Sequence, residues 1–244
     1  MSDGLIFDRL FGPSAHQVAI RGHFVRGQAS IAGRRVEVIG TWDAAALDSA
    51  LTLELAAAVL ACVEAPRPPG EAPPPIVFIA DTEGQALSRH EELLGLNGYF
   101  AHLARCVDLA RRSGHQTLTL VNGQAVSGGF LAFGLLADRI CALPGAQVRV
   151  MDLRAMARVT KIPFERLEVL ASESPVFAPG AENYWRMGGI HEVWPDDRAD
   201  WRPLLAEALA AIDASPAGDQ RPQLGANRGG RLLAARIAER VALG

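Results

Sequence analysis

TLTLVNGQAVSGGFLAFG, residues 117–134, brings a strand, a glycine turn and the opening of a helix into direct succession. Residues 117–121 alternate threonine with branched apolar residues and read as buried sheet. Gly123, Gly128 and Gly129 remove the Cβ atoms that would hold a ligand away from the main chain. The apolar run 130–136 then predicts a helix whose first N–H groups have no partner within it. Such an end is an electropositive cradle for a carboxylate, a phosphate or a developing oxyanion.

Two familiar glycine motifs fail on these letters. A P-loop requires Lys and then Ser or Thr after G-x-x-x-x-G, whereas Gly123 and Gly128 are followed by Gly129 and Phe130. The G-x-G-x-x-G fingerprint of dinucleotide sites has neither its spacing nor its position near the chain start. A nucleotide site is therefore not expected. Ser127 as a nucleophile would need a positioned base, and no histidine lies between His115 and His191. Its plainer reading is a small turn residue or a helix N-cap.

Composition describes one enzyme-like globular domain over residues 1–244: 49% hydrophobic, 21% charged, with a net charge of −3. The 24 basic residues are arginines scattered along the chain, except for Lys161, so no nucleic-acid surface is expected. Cys62, Cys106 and Cys141 are odd in number and form no C-x-x-C, which speaks against a disulfide frame or a zinc site and for a reducing compartment. No metal is expected. Residues 1–12 lack the apolar core of a signal peptide, and no apolar stretch reaches membrane-spanning length. A soluble, cytoplasmic protein without membrane contact is the expectation.

Outward from the opening stretch, residues 17–39 alternate short apolar runs with Gly22, Gly27 and Gly33 and predict an antiparallel meander. Residues 44–64 carry Leu and Ala at helical spacing, with Asp43 as the prospective N-cap. The stretch APRPPGEAPPP, residues 65–75, has six prolines and predicts an exposed loop without regular structure. IVFIA, residues 76–80, reads as a short buried strand that delivers a second glycine turn, DTEGQ, at residues 81–85. A helix over 97–112 leads back into the strand at Thr117, with Tyr99, Leu103, Cys106, Val107 and Ala110 on one face. Two short strands follow at 139–142 and 147–151. This β–turn–α order implies right-handed parallel crossovers in an α/β fold. Residues 163–244 read as mainly helical, with a loop SPVFAPG at 174–180.

The two strand–turn–helix units, IVFIADTEGQ and TLTLVNGQAVSGG, resemble those of the crotonase and carboxyltransferase superfamily. More closely, DTEGQALSRHEELLG, VNGQAVSGGFLAFGLLAD, MARVTKIPFERLE and SPVFAPGAENYWRMGG resemble the gamma subunit of biotin-independent malonate decarboxylase. The resemblance covers most of the chain and leaves the proline-rich loop unaccounted for. It implies a crotonase-like ββα spiral with C-terminal helices. It also implies a beta-subunit partner of the same fold in a hetero-oligomer, an acyl carrier protein subunit, and further subunits of the complex. The substrate would be a malonyl thioester on a phosphopantetheine-type arm of the carrier, with no biotin and no cofactor bound to this chain.

Loss of CO2 from a malonyl thioester leaves an enolate with its charge largely on the thioester oxygen, so the main demand is fixed hydrogen-bond donors there. Backbone N–H groups of Gly128 and Gly129 on one turn, and of Gly84 and Gln85 on the other, are the donors this sequence offers. Arg154, Arg158 and Lys161, at i, i+4 and i+7, would share one helical face. They read as a landing surface for the phosphate-bearing arm or the acidic carrier, or as a solvated face. His90 could supply the proton that converts enolate to acetyl thioester, and Glu83, Arg89, Glu91 and Glu92 flank it. His115 reads as structural. Two other function classes stay open: a self-sufficient acyl-CoA hydratase or isomerase of crotonase type, and a noncatalytic scaffold.

Overall fold

The computed structural model describes residues 5–173, 178–197, 199–215 and 218–243. A short helix α1 (Leu5–Phe11) precedes β1 (Ala19–Arg21), β2 (Phe24–Ile31) and β3 (Arg34–Thr41), which pair antiparallel as the meander expected from residues 17–39. The reading of 44–64 as one helix needs correction. Asp43 and Ala44 both adopt left-handed backbone, with φ of 59° and 47°, and turn the chain so that 45–47 form a strand, β4 (Ala45–Leu47). The helix α2 (Ser49–Glu64) starts later, capped by Asp48, whose Oδ1 accepts from Leu51 N at 2.7 Å. Alanine-rich composition favours helix, but pairing with a neighbouring strand decides the state of these three residues.

That neighbour is β5 (Ile76–Gln85), which does not end at Ala80 as the sequence suggests. It pairs parallel with β3 over Ile76–Ile79 and then with β4 over Thr82–Gln85. Helices α3 (Arg89–Leu94) and α4 (Leu96–Arg112) return the chain to β6 (Thr117–Val126). On α4, Leu103, Cys106, Val107 and Ala110 are buried as expected, with Tyr99 partly exposed. The strand β6 likewise outruns its predicted end. It is followed by a six-residue helix α5 (Ser127–Ala132) and a 3-10 turn (Gly134–Leu136), where an unbroken helix over 130–136 was expected. Phe133 interrupts it with φ −138°, and the Gly134 carbonyl accepts from Thr119 Oγ1 at 2.9 Å instead.

Next come β7 (Arg139–Ala142) and β8 (Gln147–Arg149), which flank successive stretches of β6 just as β3 and β4 flank β5. This repeated long-strand, short-strand, helix unit gives a sheet in the order β1-β2-β3-β5-β6-β7, with β4 and β8 beside the C-terminal parts of β5 and β6. The C-terminal region contains α6 (Leu153–Thr160), α7 (Phe164–Glu173), α8 (Ala181–Arg186), β9 (Glu192–Val193), α9 (Arg202–Ala214), α10 (Arg221–Asn227) and α11 (Ala234–Ala242). It is mainly helical, as read, although β9 joins the sheet edge at β7 and α10 was not foreseen. Residues 174–177 of the expected SPVFAPG loop lie outside the described residues.

Helices cover both faces of the sheet. Ile39, Phe78, Leu103 and Phe133 pack with α2, α4 and α5 on one side, while Val77, Leu118, Phe7 and Trp201 pack with α1 and α9 on the other. Residues 65–75 form neither helix nor strand, as expected, and are tied down by Glu37 N to Pro75 O and His115 Nδ1 to Pro74 O, each at 2.8 Å. Among the described residues, no helix is long and apolar enough to cross a membrane.

Candidate functional site

The two glycine turns, separated by the whole of α3, α4 and β6, pack against each other at the C-terminal edge of the sheet. A Cβ on Gly129 would stand 2.9 Å from Gly84 Cα and 2.9 Å from Thr82 Oγ1. A Cβ on Gly128 would stand 3.3 Å from Gln85 Oε1, and one on Gly84 would stand 3.5 Å from Ser127 Cβ. Gly84, Gln85, Ser127, Gly128 and Gly129 are thus brought together, Gly84 and Gly129 buried and the other three half-buried. The strand extensions put them there, because β4 carries β5 to Gln85 and β8 carries β6 to Val126.

Each residue's part follows from its geometry. Gly84 has φ +106°, a conformation that strains any side chain. Its N–H donates to Thr82 Oγ1 at 3.0 Å, and that hydroxyl donates to Ala45 O at 2.6 Å. Gly84 therefore shapes the turn rather than offering a free donor, which corrects the expectation for it. Ser127 is not the N-cap of α5. The cap is Val126, no side chain caps the helix, and Ser127 is its first residue, with φ +49° and no hydroxyl hydrogen bond among the described residues. The N–H groups of the first turn, including Gly128 and Gly129, thus have neither an intrahelical partner nor a side-chain cap. A six-residue helix carries little aligned dipole, so these donors act as individual N–H groups.

Gly123 has a structural reason of its own. A Cβ there would run into Asp81 Oδ1, which accepts from Gln124 N at 2.7 Å, while Asp81 N donates to Thr41 Oγ1 at 3.1 Å. Asp81, which sequence reasoning passed over, locks β5 to β6 directly behind the cradle. Its only signal was an aspartate ending a buried apolar strand. Three amide oxygens on these strand ends, Gln85 Oε1, Asn122 Oδ1 and Gln124 Oε1, are buried with no hydrogen-bond partner among the described residues. Buried acceptors of this kind are normally satisfied, so they mark polar places for a ligand or water.

The remaining candidates divide. Glu91 is buried and turns inward: its Oε2 accepts from Ser49 N at 2.8 Å, joining α3 to the start of α2. His90, Glu83, Arg89 and Glu92 are exposed, and no described contact joins His90 to the cradle. Arg154 and Arg158 are exposed on α6, with the Arg154 guanidinium 4.7 Å from the Phe164 ring centroid. Lys161 does not continue their face. It is the left-handed C-cap of α6, φ +64°. The helix follows β8, whose Arg149 pairs with Val126, so the chain enters α6 from beside the strand end that precedes Ser127. Between α6 and α8 a cavity of about 270 Å³ is lined by Met151, Met156, Val159 and Tyr184.

Residues 43–244 match the family model of the malonate decarboxylase gamma subunit. The malonyl-S-ACP:biotin-protein carboxyltransferase MADD of Malonomonas rubra is 33% identical over 196 residues, covering 75% of this chain and 67% of the relative. A chain of a Pseudomonas malonate decarboxylase hetero-tetramer in complex with coenzyme A superposes with a TM-score of 0.81 at 28% identity, over 97% of both chains. A chain of the Pseudomonas MdcD-MdcE hetero-dimer gives 0.76 at 29% identity, over 97% of this chain and all of that one. Transcarboxylase 12S, at 20% identity and a TM-score of 0.68, shares the fold, that of the carboxyltransferase and crotonase type. With the family model matched over most of its length, this chain belongs to the malonate decarboxylase gamma subunit family.

Proposed function

We propose that this chain is the gamma half of a malonate decarboxylase pair that, with a beta subunit, converts malonyl-S-acyl carrier protein to acetyl-S-acyl carrier protein. The observation that supports this is the packing of the 84–85 and 127–129 turns against each other. When the bond between the α-carbon and the carboxylate breaks, its electron pair moves into the enolate, CO2 leaves, and a proton later closes the α-carbon. Gln85, Gly128 and Gly129 supply N–H groups to the negative oxygen that forms, or to the carboxylate that departs. One such donor is worth about 3–4 kcal/mol of barrier. Arg154, Arg158 and Lys161 meet the phosphate of the carrier's arm or the acidic carrier itself, and the apolar cavity beside α6 takes carbon from the arm. His90, exposed on α3, is at most a proton donor completed by the partner's arrival.

The test uses Gly128→Val in the purified pair, because a side chain there meets Phe100 and Gln85 side chains that can yield, and the backbone stays in place. Assembly by size-exclusion chromatography should persist while acetyl-thioester formation from malonyl-carrier falls about 100-fold or more. Wild-type turnover in the assembled variant would leave this chain a scaffold. Acetyl-thioester formation or acyl-CoA hydration by the lone chain would instead make it a self-sufficient crotonase-type enzyme.

A further inference from the structure

A basic cavity lies away from the cradle. It sits where β3 and β5 begin, with Glu37 paired to Ile76, at the opposite edge of the sheet from Gln85 and Ser127. Its walls are the β2–β3 hairpin, the end of α2 and the proline-rich loop, the one motif the proposed function leaves without a task. We propose that this cavity, about 780 Å³, binds a small polyanion of phosphate or polycarboxylate type through Arg26, Arg34, Arg35 and Arg67.

Charge is the first argument. Four arginines and two carboxylates, Glu37 and Glu71, line the cavity, leaving two positive charges in excess. Glu37, with a side chain 3% exposed, holds two guanidiniums at once. Its Oε1 accepts from Arg35 Nε at 3.1 Å and Nη2 at 2.6 Å, and its Oε2 lies 3.3 Å from Arg26 Nη2. One buried carboxylate thus orients two arginines and neutralises only one. Arg34 makes no ion pair among the described residues. Guanidinium forks of this kind recognise phosphate and carboxylate by paired N–H donors.

Positioning is the second. His115 donates from Nδ1 to Pro74 O at 2.8 Å, which fixes Nε2 as an acceptor, and Arg67 Nη1 lies 3.3 Å from it. Burial, together with the Arg67 charge, lowers the affinity of this imidazole for a proton, so it stays neutral at pH 7. Arg67 is therefore aimed by a group that leaves its charge uncompensated. The loop that bears it is stiffened by six prolines and by Glu71 N donating to Pro68 O at 3.1 Å. Ligand binding then needs little further ordering.

The experiment is isothermal titration calorimetry of the full chain with inorganic pyrophosphate and, separately, citrate at fixed ionic strength. Saturable one-to-one binding of at least one probe is expected, weakened about tenfold in Arg67→Gln and in Arg34→Gln, the loss of a charge-assisted hydrogen bond. The double variant Arg236→Gln/Arg240→Gln, at exposed arginines of α11 that do not line the cavity, should bind as the wild type does. Thermal unfolding without ligand checks each variant's fold, and Arg34→Gln, at a hairpin end, decides the matter if Arg67→Gln is misfolded. No saturable binding at millimolar probe, equal binding by the folded Arg34→Gln variant, or loss in the α11 variant would each overturn the proposal. Which probe binds separates phosphate from polycarboxylate.

Discussion

Glycines at the cradle differ in what their missing Cβ permits, and that difference is measurable. At Gly129 an added methyl meets Gly84 Cα and Thr82 Oγ1, both at 2.9 Å, and the first of these is backbone that cannot step aside. Overpacking of this sort costs about 1–3 kcal/mol. At Gly128 the same methyl meets the Phe100 ring edge at 3.1 Å and Gln85 Oε1 at 3.3 Å, both ends of movable side chains. Gly129→Ala should therefore lower the urea midpoint clearly, while Gly128→Ala leaves it within a few tenths of a kcal/mol and acts on turnover. An equal loss of stability in both would show that the two turns do not pack as described. Ser127 belongs to the same argument. Its hydroxyl has no described partner, so Ser127→Ala should keep most activity in the assembled pair. A loss of about a thousandfold with an intact fold would restore the nucleophile or base reading.

Between elements, the contact that most clearly couples to pH is the one joining β7 to the turn before β9. Ile140 N donates to His191 Nδ1 at 3.1 Å, so the ring must stay unprotonated there. Burial first, then the charges of Arg139, Arg221 and Arg228, press its pKa from 6.5 to about 4. Above pH 6.5 both folded and unfolded chains carry a neutral imidazole, and no stability depends on it. As pH falls from 6.5 towards 4 the unfolded chain takes up the proton first, and stability is lost over that window, about 2 kcal/mol by pH 5. His115, lowered in the same direction, adds to the trend. His191→Asn keeps an acceptor for Ile140 N and should flatten the fall in urea stability between pH 7 and pH 5. An unchanged slope would remove His191 from the account. Such long-range couplings were not legible in the sequence, and neither were the strand extensions. AAL at 45–47 and DTEGQ at 81–85 have no strand composition, and they become sheet because each lies beside the other. The Glu91 to Ser49 link and the Thr82 hydroxyl relay likewise join residues with no local sign of partnership. By contrast, the meander at 17–39, the crossover order and the glycine turn after TLTLV were legible, since periodicity and turn chemistry are local.

At the scale of the molecule, the cradle presents donors but little else that decarboxylation needs. Gly84 has spent its N–H on Thr82, Glu91 is engaged with α2, Asp81 is engaged with Gln124, and His90 stands in solvent. What is left is a surface of N–H groups with a basic helix beside it, which can stabilise one anion and cannot by itself both bind a malonyl thioester at two charged points and return a proton to carbon. Relatives in this family crystallise as MdcD-MdcE hetero-dimers and in hetero-tetramers, which fits a site completed from two chains. The lone chain should therefore form no acetyl thioester from malonyl-carrier above the uncatalysed rate, and addition of the beta subunit should bring activity up in proportion to complex formed. The measurement is a titration of fixed gamma chain with beta subunit, followed by product formation and by size-exclusion chromatography on the same samples. Activity that saturates at one partner per chain, together with complex, fits a shared site. Substantial turnover before any partner is added would mean that this chain holds a whole active site by itself.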